Sequence, residues 1–350
     1  MIYSKLRSLI FKFDPELAHD LAIKYLRLNI FPKKKIKSQS LIFSEIFGKK
    51  LENPIGLAAG FDKDAEVYNS LFKLGFGFVE VGTVTPFKQY GNPKPRVFRL
   101  EEDQALINRL GFNSSGADKV YSNISTNKPN GFFGINIGPN KNSINRFEDY
   151  ILGLRKFHKL ADYLAINISS PNTENLRKFH DEQELNRLLD AIYKERAKIK
   201  TNVPIAVKIS PDLDDESIFN ISEILLRFQV DAAIISNTTD SNRENLNNIN
   251  KLEKGGLSGK PIEKKSNLII CKFFNHLKNK IKIIGVGGVD SGQSAYEKFL
   301  CGASAIQLYT GMVYQGPEIA FKIANELIEI LKKKGIENIL SIVGKKNNLD

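Results

Sequence analysis

The chain is poor in the residues that would commit it to several chemistries. Its 350 residues hold two cysteines, Cys271 and Cys301, too few for a disulfide framework and not at C-x-x-C spacing. That points to a reducing compartment, or to no need of cysteine. No run approaches the roughly 20 apolar residues that a membrane-spanning helix needs. No apolar core with a small-residue cleavage site marks a signal peptide. The expectation is a soluble or peripheral protein.

Acidic residues are the minority: 39 Asp and Glu face 51 Lys and Arg, a formal charge of +12. A basic chain invites nucleic acid, an anionic membrane or acidic ligands. The excess is uneven. Residues 1–40 carry Lys5, Arg7, Lys12, Lys24, Arg27, Lys33, Lys34, Lys35 and Lys37 against Asp14, Glu16 and Asp20, so half of the net charge lies there. A lysine-rich and asparagine-rich composition throughout is the plainer explanation.

Two short helices are expected to open the chain. Ile2, Leu6, Leu9, Ile10 and Phe13 recur at helical spacing. Asp14-Pro15-Glu16 then reads as N-cap, first helical residue and first-turn acid. Leu17, Ala18, Leu21, Tyr25 and Leu28 continue one apolar stripe to Phe31-Pro32, and lysines 33–37 read as a solvated linker. Beyond residue 50 short β-branched runs alternate with helical patterns. Eight strands are expected, at Pro54–Ala59, Gly77–Gly82, Phe132–Ile137, Tyr163–Ile168, Ile205–Ile209, Ala232–Ser236, Lys282–Val286 and Ser304–Leu308. Helices are expected at 64–74, 114–124, 146–159, 182–199, 215–228, 261–279, 291–301 and 317–334. Near-continuous apolar strands separated by helices imply parallel pairing with both faces covered. Eight such units are the count of a closed (β/α)8 TIM barrel. An open doubly wound sheet is the rival. The expected division is an amphipathic segment over 1–40 and a barrel over 41–350. Two long interruptions, 84–113 and 237–260, are of the kind that is either functional or disordered.

In such a barrel the active site forms where the strands end. Here those ends offer Gly60 and Lys63, Thr83, Asn136, Asn167 through Thr173, Lys208, Ser236-Asn237-Thr238, Gly287-Gly288 and Tyr309-Thr310-Gly311. Glycine turns after the last two strands suit a phosphate, because the backbone can approach closely and helix N-termini supply N–H donors. Amides at 108, 136, 167, 172 and 237, with Lys63 and Lys208, suit an anionic, planar, amide-rich ligand. The histidines (His19, His158, His180, His276) avoid the strand ends, so no metal site is expected. Asp62 reads as a structural partner near Lys63. Ser170, flanked by Asn167 and Asn172 with Thr173 three residues on, could serve as a general base. Without a histidine placed beside it, it is not a hydrolase nucleophile.

These residues resemble the class 2 dihydroorotate dehydrogenases over about residues 10 to 330. The motifs are Asp14-Pro15-Glu16 with Ala18-His19, Gly56–Lys63, Phe76–Pro86, Pro95–Leu100, Ile107–Asn113, Gly134–Gly138, Asn167–Thr173, Val207-Lys208-Ile209, Asn237-Thr238-Thr239, Gly255–Gly259 and Ile284–Gly288. The resemblance implies FMN at the barrel mouth and oxidation of dihydroorotate to orotate, with a membrane quinone as acceptor. It implies FMN contacts from Ala59, Gly60, Phe61, Asp62, Lys63, Thr83, Asn136, Asn167, Lys208, Ser236, Gly259, Gly288, Tyr309 and Thr310. Substrate contacts are implied for Lys63, Asn108, Arg109, Leu110, Gly111, Phe112, Asn167, Asn172, Asn237 and Thr238. Ser170 would take the proton from C5 while hydride leaves C6; soluble class 1 members place a cysteine there. His19 and Arg99 match positions near the quinone. Ser236 departs from an expected threonine but keeps the hydroxyl. The partners implied are an anionic membrane surface and no nucleic acid, the chain being a monomer. The expected place is peripheral, on the cytoplasmic side of an inner membrane, with the mitochondrial inner membrane as the alternative.

Rivals are a class 1 enzyme, a tRNA dihydrouridine synthase, and a basic RNA- or membrane-binding module. The second would want a catalytic cysteine in an active-site loop, whereas Cys271 and Cys301 fall in or beside expected helices. The third would not need hydroxyls, amides and glycines at eight strand ends.

Overall fold

The eight apolar runs become eight parallel strands: β1 (Ile55–Leu57), β2 (Phe78–Val84), β3 (Phe132–Ile137), β4 (Tyr163–Asn167), β5 (Ile205–Ile209), β6 (Ala232–Ile235), β7 (Lys282–Val286) and β8 (Ala305–Leu308). Their bounds lie within two residues of those expected. Each pairs with its neighbour in chain order, and β8 returns to β1 through Ile306↔Ile55, Gln307↔Gly56 and Leu308↔Leu57. The barrel is therefore closed, and the open doubly wound sheet is excluded. The computed structural model describes residues 2–241 and 243–348. The side chains of Ile2, Ser4, Asn347 and Asn348 also lie outside the described residues.

Among the described residues eleven α-helices accompany the strands: α1 (Ile2–Ile10), α2 (Pro15–Arg27), α3 (Tyr68–Lys73), α4 (Ala117–Thr126), α5 (Arg146–Phe157), α6 (Glu182–Lys198), α7 (Asp215–Arg227), α8 (Glu263–Leu277), α9 (Gly292–Leu300), α10 (Thr310–Gln315) and α11 (Ile319–Lys333). The expected 64–74 helix starts four residues late, because the Asp62 carboxylate first closes a turn on the Glu66 and Val67 amides at 2.7 and 2.9 Å. Short α10 was not expected.

Alternation along the strands sorts the interior. Val79, Val81, Ile135, Leu164, Ile166 and Val207 face the helices and join the main core. Phe78, Tyr163, Ala165, Ala206, Ala232, Ile234, Ile284 and Ala305 fill the barrel floor. Large rings fit because a facing position is small: a Cβ on Gly134 would lie 2.2 Å from the Tyr163 ring. A hairpin, Ser44–Ile46 paired with Lys49–Leu51, seals this floor with Ile46, Leu51 and Phe47, whose ring stacks on Tyr163 at 4.7 Å.

The two long interruptions are not separate. Ala105–Asn108, from the first, pairs on one side with Val97–Leu100 and on the other with Gly256–Gly259, from the second, in one antiparallel sheet at the mouth.

The N-terminal helices form as expected, with Asp14 Oδ1 accepting from the Glu16 and Leu17 amides at 3.0 Å. Their docking uses the opposite face from the apolar stripe. Ile23 and Leu26 are buried, whereas Leu6, Leu9, Phe13, Leu17, Leu21, Tyr25 and Leu28 are each 45–61% exposed. Polar groups hold the hairpin down. Arg96 grips both Glu16 oxygens at 2.9–3.1 Å, and Arg99 donates to the Phe11 and Phe13 carbonyls. In the linker, Lys34 is not simply solvated: it pairs with Glu318 at 2.9 Å. Among the described residues no helix is long and apolar enough to cross a membrane.

The Arg96–Glu16 pair is nearly closed to solvent, with side chains 8% and 16% exposed. Breaking one partner of such a pair costs about 3–5 kcal/mol, and the loss should be local. Arg96→Met is expected to speed proteolysis within residues 10–40 by about 10²-fold or more. Thermal unfolding of the barrel should stay near that of the parent. Unchanged cleavage kinetics would show that the hairpin is held by its apolar face instead.

Candidate active site

The strand ends, that of β3 excepted, surround one cavity that opens to solvent. It is lined by Ala59, Gly60, Lys63, Thr83, Asn167, Ser170, Lys208, Ser236, Gly259, Gly288, Tyr309 and Thr310, and across from these by Asn108, Leu110, Gly111, Phe112, Asn172, Asn237 and Thr238. The sequence reading named all of these. Six named residues lie elsewhere. Phe61 turns away and packs between His19 and Tyr309, with ring centroids 5.0 and 5.7 Å apart. Asp62 is occupied with its own turn, not with Lys63, and burial pushes its carboxyl up to about 6. Arg109 faces outward to Glu253 at 2.6 Å and fastens the mouth sheet. Asn136 is fully buried and does not line the cavity. Nor do His19, which packs on Phe61, and Arg99, which donates to the Phe11 and Phe13 carbonyls.

The amides form a continuous set. Asn136 Oδ1 accepts from Thr83 Oγ1 at 2.6 Å and from Asn167 Nδ2 at 3.2 Å. Asn167 Oδ1 accepts from the Ser169 amide and hydroxyl, and Asn237 Nδ2 donates to Ser169 Oγ at 2.8 Å. Across the mouth Asn172 Nδ2 reaches Asn108 Oδ1 at 3.3 Å. Ser170 is buried, and its Oγ accepts from the Asn172 amide at 3.2 Å. A hydrogen bond donated to that oxygen favours its negative form. No histidine serves it.

Two lysines supply the charge. Lys63 makes no hydrogen bond or ion pair among the described residues, and burial lowers its pKa. Lys208 is buried, its Nζ 3.9 Å from Glu80 Oε1, and burial lowers its pKa against the pull of that carboxylate. Glu80 was not anticipated. It also accepts from Asn136 Nδ2, Tyr163 OH and Gln307 Nε2 at 2.8–2.9 Å. Its only signal in the sequence is a carboxylate in the apolar run Phe78-Val79-Glu80-Val81. The mouth sheet adds Val97, Gln104, Leu106 and Ser258, which sequence reasoning also missed.

The cavity suits a phosphate-bearing planar cofactor. At the end of β7, Gly288 has φ +76, and a Cβ there would meet the Glu263 backbone at 2.5 Å. Asn113 Oδ1 lines the cavity and is buried without a partner. The Lys63 amine, without a partner among the described residues, fits an anionic group, and the Asn113 oxygen fits a hydrogen-bond donor on the ligand.

A protein-family model described as Dihydroorotate dehydrogenase matches residues 41–331. The chain is 45% identical to Dihydroorotate dehydrogenase (quinone) of Bartonella tribocorum, over 95% of this chain and 93% of that protein. It is 42% identical to the mouse protein named Dihydroorotate dehydrogenase (quinone), mitochondrial, over 95% and 86%. The crystal structure of DHODH from Eimeria tenella in complex with ferulenol superposes with a TM-score of 0.91, at 38% identity over 95% of each chain.

His180 closes the Ser170 loop from behind. Its Nε2 accepts from the Ser210 amide at 3.2 Å and its Nδ1 meets the Arg177 carbonyl at 2.9 Å, an arrangement for the neutral ring. Burial pushes its pKa down to about 4 from 6.5. The native state therefore refuses a proton that the unfolded chain accepts. Stability from this group is complete above pH 6.5 and is lost as pH falls toward 4, about 3 kcal/mol in all. His180→Gln keeps an acceptor for Ser210 but cannot titrate. Its urea midpoint should fall less than the parent's between pH 7 and pH 4.5, a comparison in which all other groups cancel. Parallel pH profiles would contradict the assignment.

Proposed function

The chain belongs to the dihydroorotate dehydrogenase family, and on that premise we propose that it oxidises dihydroorotate to orotate with FMN as cofactor and a membrane quinone as final acceptor, a step of pyrimidine synthesis. The observation that carries this reading is the buried Ser170 oxygen facing the same cavity as the unpaired Lys63 amine. One can take a proton from a substrate whose carboxylate the other holds.

Ser170 is the base for the proton on C5. A serine hydroxyl is a weak base, so placement must compensate; the Asn172 amide stabilises the oxygen as negative charge grows on it. Lys63 pairs with the substrate carboxylate. Asn108, Asn172 and Asn237 read the pyrimidine ring through paired donors and acceptors. Lys208, with Glu80 behind it, places positive charge where the cofactor ring would gain electrons, a preorganised electrostatic contribution. Gly288, Tyr309 and Thr310 would hold the phosphate, and Gly60, Thr83, Asn167, Ser236 and Gly259 the rest of the cofactor. FMN, when bound, supplies the acceptor for the hydride from C6 and hands two electrons on to the quinone.

The quinone is proposed to enter between α1, α2 and the barrel, past His19 and Arg99. Burial, with Lys63 adding to it, pushes His19 down to about 3, so it is a neutral ring beside Phe61. The exposed apolar stripe of α1 and α2, with Lys5, Arg7, Lys12 and Lys24 near it, suits a helix pair lying in an anionic bilayer surface. The proposed location is peripheral, on the inner membrane.

Ser170→Ala is expected to keep its flavin, seen by absorbance, yet to slow flavin reduction by dihydroorotate about 10²–10⁴-fold. Stopped-flow reduction at the parent rate would rule the base assignment out. Removing residues 1–40 separates the two half-reactions. Flavin reduction should persist, because every cavity-lining residue lies beyond residue 50. Turnover with a long-chain quinone and binding to anionic liposomes should both collapse. A truncated enzyme that reduces membrane quinone at full rate would defeat the access route.

A further inference from the structure

Two loops carry the groups given to proton transfer and ring recognition. One follows β4 and holds Ser170; the other follows β6 and holds Asn237 and Thr238. A single side chain spans them from outside the cavity. Arg177 lies seven residues beyond Ser170, in the 3-10 turn Leu176–His180. Its Nε donates to the Ser169 carbonyl at 3.3 Å and its Nη2 to the Thr238 carbonyl at 3.3 Å. Its Nη1 reaches both Asp240 oxygens at 3.2 and 3.3 Å, and Nη2 also lies 3.1 Å from Asp212 Oδ2. The acceptors thus come from the loops after three successive strands, β4, β5 and β6. Ser169 O belongs to the peptide that leads into Ser170, and Thr238 O follows directly on Asn237.

The anchor beneath is rigid. Asp212 also accepts from Lys265, Thr239 and Ser241. Burial pushes its carboxyl up, but hydrogen bonds from Lys265, Thr239 and Asp240 outweigh that and leave it below the usual range. On the other side the neutral His180 ring ties the Arg177 carbonyl to the Ser210 amide at the end of β5. A surface ion pair needs one carboxylate and contributes little. A planar guanidinium with donors in a fixed fork is the side chain that can meet four acceptors in fixed positions, which a lysine cannot.

We infer that Arg177 is a positioning residue for the oxidation of dihydroorotate: it locks the Ser170 loop to the Asn237–Thr238 loop, and so fixes the serine oxygen relative to the amides that hold the ring. It lines no part of the cavity and touches neither substrate nor cofactor. The inference rests on the assignment of Ser170 as base, and it deepens that assignment. Because a weak base depends on placement, a displacement of about 1 Å is enough to cost on the order of 10²-fold in rate.

The test uses the full-length, flavin-loaded enzyme and two variants, Arg177→Gln and Arg177→Lys. Flavin reduction by dihydroorotate is followed by stopped flow, with unlabelled substrate and with substrate deuterated at C5 or at C6. Orotate affinity is measured by its effect on the flavin spectrum. Flavin content and orotate affinity should stay within about threefold of the parent while reduction slows about 10- to 100-fold in Arg177→Gln and less in Arg177→Lys. The isotope effect from C5 should grow and that from C6 should not, because only the proton transfer has lost its geometry. Reduction at the parent rate overturns the inference. So does slowed reduction with an unchanged C5 effect and weakened orotate binding, which would mark a merely structural residue. If Arg177→Gln fails to fold, Arg177→Lys decides by the same criteria. A parent enzyme that dihydroorotate cannot reduce would instead refute the functional reading itself.

Discussion

A carboxylate closed off from solvent stands inside the barrel, and much of the site is arranged around it. Removing a carboxylate from water carries a penalty of several kcal/mol unless its lone pairs are met. Asn136, Tyr163 and Gln307 meet them, and Lys208 brings the opposite charge to 3.9 Å. Each partner is then committed. Asn136, with its amide nitrogen turned to Glu80, presents its oxygen to Thr83 and Asn167. Lys208 cannot swing away without leaving a charge unpaired. The polar layer also divides the barrel: rings and alanines pack below it, and ligand chemistry is left above it. A preorganised site needs its side chains locked from behind in this way.

The mouth is completed by segments that do not belong to the barrel at all. The sheet made from 97–100, 105–108 and 256–259 brings the excursion after β2 against the excursion after β6. Its residues face the cavity opposite the strand ends, so the ligand space is enclosed by two separate constructions. The N-terminal helices attach to this sheet through Arg96 and Arg99, which lie in or beside its outer strand. Cofactor cavity, substrate enclosure and helical hairpin are thereby coupled through one small sheet.

What could be read from the sequence follows from how local each signal is. The eight strands were legible because each is a short apolar run with a helix pattern behind it. The strand-end residues were legible because barrel topology makes them converge whatever the details. The floor hairpin escaped notice: strands of three residues such as Lys49–Leu51, with two exposed lysines, look like linker. The mouth sheet escaped because its third strand joins a local pair from about 150 residues away, and none of the three carries a pattern of its own. Phe61, Asp62 and Arg109 were drawn into the site by adjacency in sequence to residues that do face it. In a turn or strand, neighbours point different ways, and each of these found a partner elsewhere.

The return of β8 to β1 sets the timing of synthesis as well as the shape. Ile306 pairs with Ile55, so the first barrel strand must wait for one made some 250 residues later. A nascent chain emerging at about 5–20 residues per second keeps that edge open for on the order of ten seconds or more. Throughout, β1 offers unpaired backbone groups and an apolar face, the features that invite wrong pairing. The floor hairpin is made before β1, and the Asn338 side chain that holds the Ser40 carbonyl just ahead of it follows 298 residues later. Completion of this barrel thus waits on its eighth strand, and the time for which its first edge stays open is written into the order of its strands.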